Sequence, residues 1–297
     1  MQLKEISLEL KPDMEKIFRT ENSSSADYCY GNIFMWDKRY KQKSAIAGDR
    51  LITHIGGMGD EYFSFPVGSG DIVPAFDEMR SYCREKGIRL KICGITEEHK
   101  ALMVASFPNQ FSYTPARKNF DYIYPIEKLM SYPGKHLHAK KNHCNKFEKE
   151  NEWSFAPIST ELLPACAAML DEWSLKEAER LDSSIEYEHD AILRGFEHFS
   201  ELDLEGGVLF ANGKIIGFAM GERLSDNCFC EHFEKAYTDI PGAYPMVCRE
   251  FARMIKQNHP DICYVNREDD LGNPSLRKSK LSYQPERLLE KYVAVEL

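Results

Sequence analysis

Asn266 to Tyr283, NREDDLGNPSLRKSKLSY, gathers in eighteen positions an amide, three consecutive acids (Glu268, Asp269, Asp270) and a basic segment with Arg277, Lys278 and Lys280. It directly follows a short apolar stretch, Ile262 to Val265, that reads as a strand. Gly272 supplies a turn, Asn273 a helix cap and Pro274 a first helical position. Such a strand end places polar groups at a sheet edge, which is where open α/β sheets bind ligands. Arg277 and Lys280, three apart, share one helix face. A second basic stretch, Lys135 to Lys149, carries five lysines and three histidines and suits contact with a phosphate. The plainer reading of both stretches is a solvated face whose charges pair with neighbours.

Cys228-x-Cys230-x-His232 lies on an expected strand, where period two puts all three on one face with Glu234. Glu231, Phe233 and Lys235 would then face the other way. A zinc site needs a fourth ligand and usually a turn between paired cysteines, so these residues are expected to be core and no metal site is expected. The His136-x-His138 pair, two apart on a helix, does not converge either. The sequence carries no serine elbow, phosphate loop or paired zinc histidines. Glycines at 56, 57 and 59 around Met58, and at 68 and 70, read as turns.

The 297-residue chain is 43% hydrophobic and 29% charged, as a globular protein is. A net charge of −9 argues against DNA binding and leaves tRNA dependent on a local basic patch. No apolar run approaches the roughly 18 residues of a membrane span, and the charged first residues hold no signal-peptide core. Nine scattered cysteines, an odd number, fit reduced thiols and a cytoplasmic location.

Patterning in the second half predicts a strand (Glu152 to Ile158), a helix from Thr160 to about Glu179, and another from about Glu186 to Phe199. Strands at Gly207 to Ala211 and Lys214 to Arg223 join through Asn212-Gly213, a strong hairpin signal. A strand at Asn227 to Tyr237, a helix at Pro245 to Lys256, the strand at Ile262, the helix at Pro274 and a strand near Leu289 to Val295 complete it. The first half shows the same order. A strand at Leu3 to Leu10 and helices at Pro12 to Arg19 and about Ala26 to Trp36 precede three strands, a helix, a strand, a helix and a strand-rich end. This order resembles the GCN5-related acyltransferase (GNAT) fold. The expected architecture is α/β (α+β): two tandem GNAT-like acyltransferase domains, residues 1–128 and 129–297, each a mixed, mostly antiparallel sheet flanked by helices.

Three segments resemble the phosphatidylglycerol lysyltransferase C-terminal domain family: Asn266 to Tyr283, the basic helix GKHLHAKKNHCNKFEKE, and DYCYGNIFMWDKRY (Asp27 to Tyr40). The resemblance implies a transferase that joins an activated acyl or aminoacyl group to an amine or hydroxyl. The co-substrate would be aminoacyl-tRNA or acyl-CoA, with no tightly bound cofactor. A carboxylate (Glu234, Glu268 or Asp269) would orient or deprotonate the acceptor. Arg277, Lys280 and Lys235 would hold an oxyanion or donor phosphate, with Lys140, Lys141 and the Gly242 loop as further phosphate contacts. Asn266 and Tyr283 would hydrogen-bond the substrates. That loop has one glycine beside Asp239, a poor cradle for CoA pyrophosphate. The first domain lacks a counterpart of the 266–283 motif and is expected to be a degenerate copy. The alternative is a non-catalytic GNAT-fold module that binds an amino-acid-like ligand or a protein partner.

Overall fold

The computed structural model describes residues 1–57, 59–177 and 184–297. Met58 of the glycine-rich turn, and the end of the helix expected to reach Glu179, lie outside the described residues. In chain order the strands are β1 (Lys4–Glu5), β2 (Gln42–Ala47), β3 (Arg50–Ile55), β4 (Tyr62–Ser64), β5 (Val67–Gly68), β6 (Lys91–Ile95), β7 (Phe111–Pro115) and β8 (Asp121–Pro125). They continue as β9 (Trp153–Pro157), β10 (Glu205–Ala211), β11 (Lys214–Arg223), β12 (Cys228–Ala236), β13 (Tyr264–Asn266), β14 (Arg287–Leu289) and β15 (Tyr292–Glu296). The helices are α1 (Lys11–Glu21), α2 (Tyr30–Met35), α3 (Asp37–Tyr40), α4 (Val73–Lys86), α5 (Glu97–Ser106), α6 (Ile126–Ser131), α7 (Gly134–Glu150), α8 (Leu163–Glu177), α9 (Ser184–Glu197), α10 (Ala243–Asn258) and α11 (Pro274–Ser282). No helix among the described residues is long and apolar enough to cross a membrane.

Two compact units emerge. The first comprises Met1–Asp121, Asp269–Asn273 and Leu288–Leu297, the second Tyr122–Glu268 and Pro274–Arg287. The first unit's sheet runs β1-β2-β3-β4-β6-β15-β7, with β5 on β3. The second sheet runs β14-β8-β13-β12-β11-β10-β9. Each holds one parallel pair, β4 with β6 and β12 with β13, spanned by α4 and α10 respectively, as a parallel crossover requires. All other pairings given register are antiparallel. The helix α10 buries Met246, Val247, Phe251, Ala252 and Ile255 along one stripe, the spacing of an amphipathic helix. The β10–β11 hairpin turns on Asn212 and Gly213, both at positive φ (51° and 75°), as a tight two-residue hairpin demands.

Three expectations change. The strand expected at Leu3 to Leu10 is limited to Lys4–Glu5, because the chain coils into a 3-10 turn at Leu8–Leu10 to enter α1. The helix expected over Ala26 to Trp36 is broken at Cys29, which is extended (φ −126°, ψ 138°). The strand expected to end the second half sits between β6 and β7 of the first sheet instead. Buried Tyr292 and Ala294 give it the apolar face that position needs. The matching place in the second sheet, between β13 and β14, is filled by β8 from the end of the first half. Strand order in sequence carries no sign of this exchange.

Candidate functional site

The site of the second unit starts with a defect in β12. Met220 of β11 pairs with Phe233, but the next residue, Gly221, pairs with Glu231, so His232 is the extra residue of a β-bulge. Gly221 makes the bulge feasible: a Cβ there would stand 1.9 Å from the Cys230 carbonyl oxygen. Period-two alternation therefore fails within β12. Glu231 and Glu234, expected on opposite faces, converge on one guanidinium. Arg267, just past β13, donates from Nε to Glu231 Oε1 (2.8 Å) and from Nη2 to Glu234 Oε2 (2.8 Å). The side chains of Glu231, Glu234 and Arg267 are 3%, 8% and 10% exposed.

Burial, with the Glu231 charge beside it, pushes the Glu234 carboxyl up to about 8 against the pull of Arg267. Despite burial, the surrounding acidic groups hold the Arg267 guanidinium well above its ordinary range. The guanidinium carbon lies 4.8 Å from the Tyr283 ring centroid and 5.9 Å from that of Tyr124. Among the described residues its remaining nitrogen, Nη1, is buried without a hydrogen-bond partner. Lys140, on α7, lies over the Tyr283 ring at 3.5 Å, and burial pulls its pKa down, with Arg267 adding to the effect.

The segment that delivers Arg267 is held by its backbone. Arg267 N–H donates to Tyr122 O (3.0 Å), and Tyr122 N–H to Glu268 O (3.1 Å). The fully buried Asn266 side chain accepts from Glu268 N–H (2.6 Å) and supports the positive φ (57°) of Glu268. The Lys280 ammonium, from α11, donates to the Arg267 carbonyl. Behind it, His232 is bracketed by Glu268 Oε1 at Nδ1 (2.7 Å) and Glu222 Oε1 at Nε2 (2.9 Å), its side chain fully buried. A neutral imidazole donates from one nitrogen only, so this trio needs a further proton on the ring or on a carboxyl.

Of the residues singled out from sequence, Glu234, Lys140, Lys280 and Tyr283 meet Arg267 or its ring partner. Asn266 and Glu268 shape the turn beside it. Arg277 is half-buried on α11. Asp269 belongs to the first unit, where its carboxylate accepts from Leu271 N–H (3.0 Å) in a turn, and buried Asp270 there binds Arg117 (3.0 Å). Lys235 is buried, paired with Glu188 (2.8 Å) and 4.1 Å from the Trp173 ring centroid. Lys141 is exposed on α7. Gly242 (φ 91°) caps α10 where a Cβ would lie 2.7 Å from the His143 carbonyl, so close helix packing requires glycine there. Sequence reasoning passed over Arg267 and the Glu222–His232–Glu268 chain. The available signal was one arginine ending an apolar strand, with two glutamates on a neighbour that otherwise reads as core.

The family model for the C-terminal region of phosphatidylglycerol lysyltransferase matches residues 18–295. The chain belongs to that family. A conserved protein of unknown function from Bacteroides thetaiotaomicron superposes with a TM-score of 0.94 at 30% identity, covering 100% of both chains. L-PGS from Bacillus licheniformis superposes with a TM-score of 0.67 at 16% identity, covering 99% of this chain and 93% of that one, and shows likeness of fold. The chain spans about half (55%) of the length of the curated relative it matches, an uncharacterised protein of Mycoplasmoides gallisepticum, at 28% identity over 180 residues, or 58% of this chain. The fold is that of tandem GNAT-like proteins.

Proposed function

We propose that the protein transfers an activated acyl or aminoacyl group, from aminoacyl-tRNA or acyl-CoA, to an amine or hydroxyl acceptor. The observation that carries this reading is the Glu231–Glu234–Arg267 cluster, which keeps one carboxyl near 8 beside a fixed cation. A base of that strength accepts a proton from an attacking amine near neutral pH far better than an ordinary carboxylate. In the reaction the acceptor nitrogen or oxygen forms a bond to the donor carbonyl carbon. Its proton passes to Glu234, and the bond to the tRNA ribose oxygen or CoA sulfur breaks. Arg267 fixes the position of Glu234, while Lys280 holds the backbone that carries Arg267. Arg277 and the exposed lysines of α7 suit donor phosphates by charge.

The poor glycine content of the Gly242 loop, and its use in packing against α7, favours charged tRNA over CoA. The second reading, a binding module without chemistry, draws on the depth of burial of Glu231 and Glu234. The deciding experiment titrates the protein calorimetrically with acetyl-CoA, then incubates it with labelled aminoacyl-tRNA and a panel of amines. Transfer of label supports the enzyme reading and identifies the donor. Ligand binding without transfer from either donor supports the module.

A further inference from the structure

Two cationic groups at this site have a donor left without an acceptor among the described residues. Arg267 uses Nε and Nη2 on Glu231 and Glu234, yet Nη1 is buried with no partner among the described residues. A guanidinium N–H left unpaired out of water is costly. Such an atom is retained where something else fills the place. Lys140 repeats the pattern from another element. Its ammonium rests on the Tyr283 ring and, among the described residues, makes no hydrogen bond and no ion pair. Both cations thus lie over one aromatic ring, at 3.5 Å for the ammonium and 4.8 Å for the guanidinium carbon. Two like charges over one ring repel each other, and an anion bound to both removes that cost.

The two acids limit what the anion is part of. Glu231 and Glu234 balance Arg267 and Lys140, so the four side chains are neutral when all are ionised. A ligand with one positive and one negative group preserves that balance. Both carboxyls face the one guanidinium, and burial beside Glu231 raises the Glu234 carboxyl to about 8, so it carries a proton that an incoming ammonium can displace. Lys140 itself is only partly buried on α7.

We propose that Lys140 Nζ and Arg267 Nη1 form a carboxylate-binding pair, and that the molecule held there is a free amino acid whose amine meets Glu234 and Glu231. This rests on the transferase reading only for the amino acid's role as acceptor. The binding itself does not depend on it.

The full-length protein is titrated calorimetrically with individual L-amino acids and with their decarboxylated amines, such as lysine against cadaverine and phenylalanine against phenethylamine. Inorganic phosphate is a third probe. At least one amino acid should bind about tenfold or more tighter than its amine. Lys140→Met, on a half-exposed helix position, should fold normally and erase that preference. Arg267→Lys retains the charge but loses Nη1 and gives a second check, weakening the acid more than the amine. Equal affinity for acid and amine overturns the proposal, as does a preference that survives Lys140→Met, or failure of every amino acid to bind at millimolar concentration. Phosphate that competes the amino acids away at lower concentration would assign the pair to the donor instead, and also overturns it. Amino-acid binding without transfer from tRNA or CoA sinks the transferase reading and leaves this one standing. Transfer to amines without amino-acid binding does the reverse.

Discussion

Replacing Glu234 by Gln should lower activity and raise stability in alkali, a combination that a simple structural ion pair would not give. The folded protein holds this carboxyl near 8 against an ordinary value of 4.5, mainly through burial. Its contribution therefore favours the native state below about pH 4.5 and is lost as the pH rises toward 8, because the folded protein binds the proton more tightly than the unfolded chain. At about 1.4 kcal/mol per tenfold change in proton concentration, the interval sets a ceiling of about 5 kcal/mol. The proton is shared with Glu231, whose charge responds, so the expected difference is about 2–3 kcal/mol. Gln keeps the shape of the protonated acid and does not titrate. Urea unfolding followed by tryptophan fluorescence, with Trp153 and Trp173 reporting on the second unit, gives the free energy from pH 5 to 8.5. The wild type should lose stability over that range relative to the variant, while transfer by the variant falls at least a hundredfold. Parallel pH curves for the two proteins would refute the assignment of a raised carboxyl at this position.

Arg267→Met strips the cation from two buried carboxylates and should cost about 3–5 kcal/mol in the same unfolding assay, with the loss growing as pH rises. Gly221→Ala forces a Cβ against the Cys230 carbonyl and should flatten or break the bulge. Its signature is loss of the acid–amine discrimination together with a melting temperature several degrees lower. Gly242→Ala combines a positive φ with backbone contact from α7 and should destabilise by more than about 1 kcal/mol without altering the pH dependence of transfer.

Much of the arrangement is legible in the residues. Apolar alternation places β10 to β12, the amphipathic stripe places α10, and Asn273-Pro274 marks the start of α11 within a residue. The neighbourhood of Asn266 to Tyr283 stands out because charge density at a strand end is uncommon. Arg267 was hidden by the acids beside it, since a lone arginine among carboxylates looks like a counter-ion. Glu231 and Glu234 were separated by strict alternation, and only a bulge brings residues three apart onto one cation. That bulge depends on a close approach at Gly221, which one sequence does not announce. His232, a core residue by local pattern beside two cysteines, carries two carboxylates brought from β11 and from the turn after β13. Contacts of that span follow from sheet order, not from local pattern.

The traded strands have a consequence for biosynthesis. The first sheet lacks the strand between β6 and β7 until residues 292–296 have been made, although its other strands are complete by residue 115. That gap leaves the inner edges of β6 and β7 without their shared neighbour while nearly two hundred further residues are added. Open edges of this kind invite pairing with the wrong chain. Because β8 leaves in the other direction, cutting the gene near codon 128 yields two fragments that each carry a strand belonging to the other. Neither is expected to fold alone, and mixing them should restore both sheets.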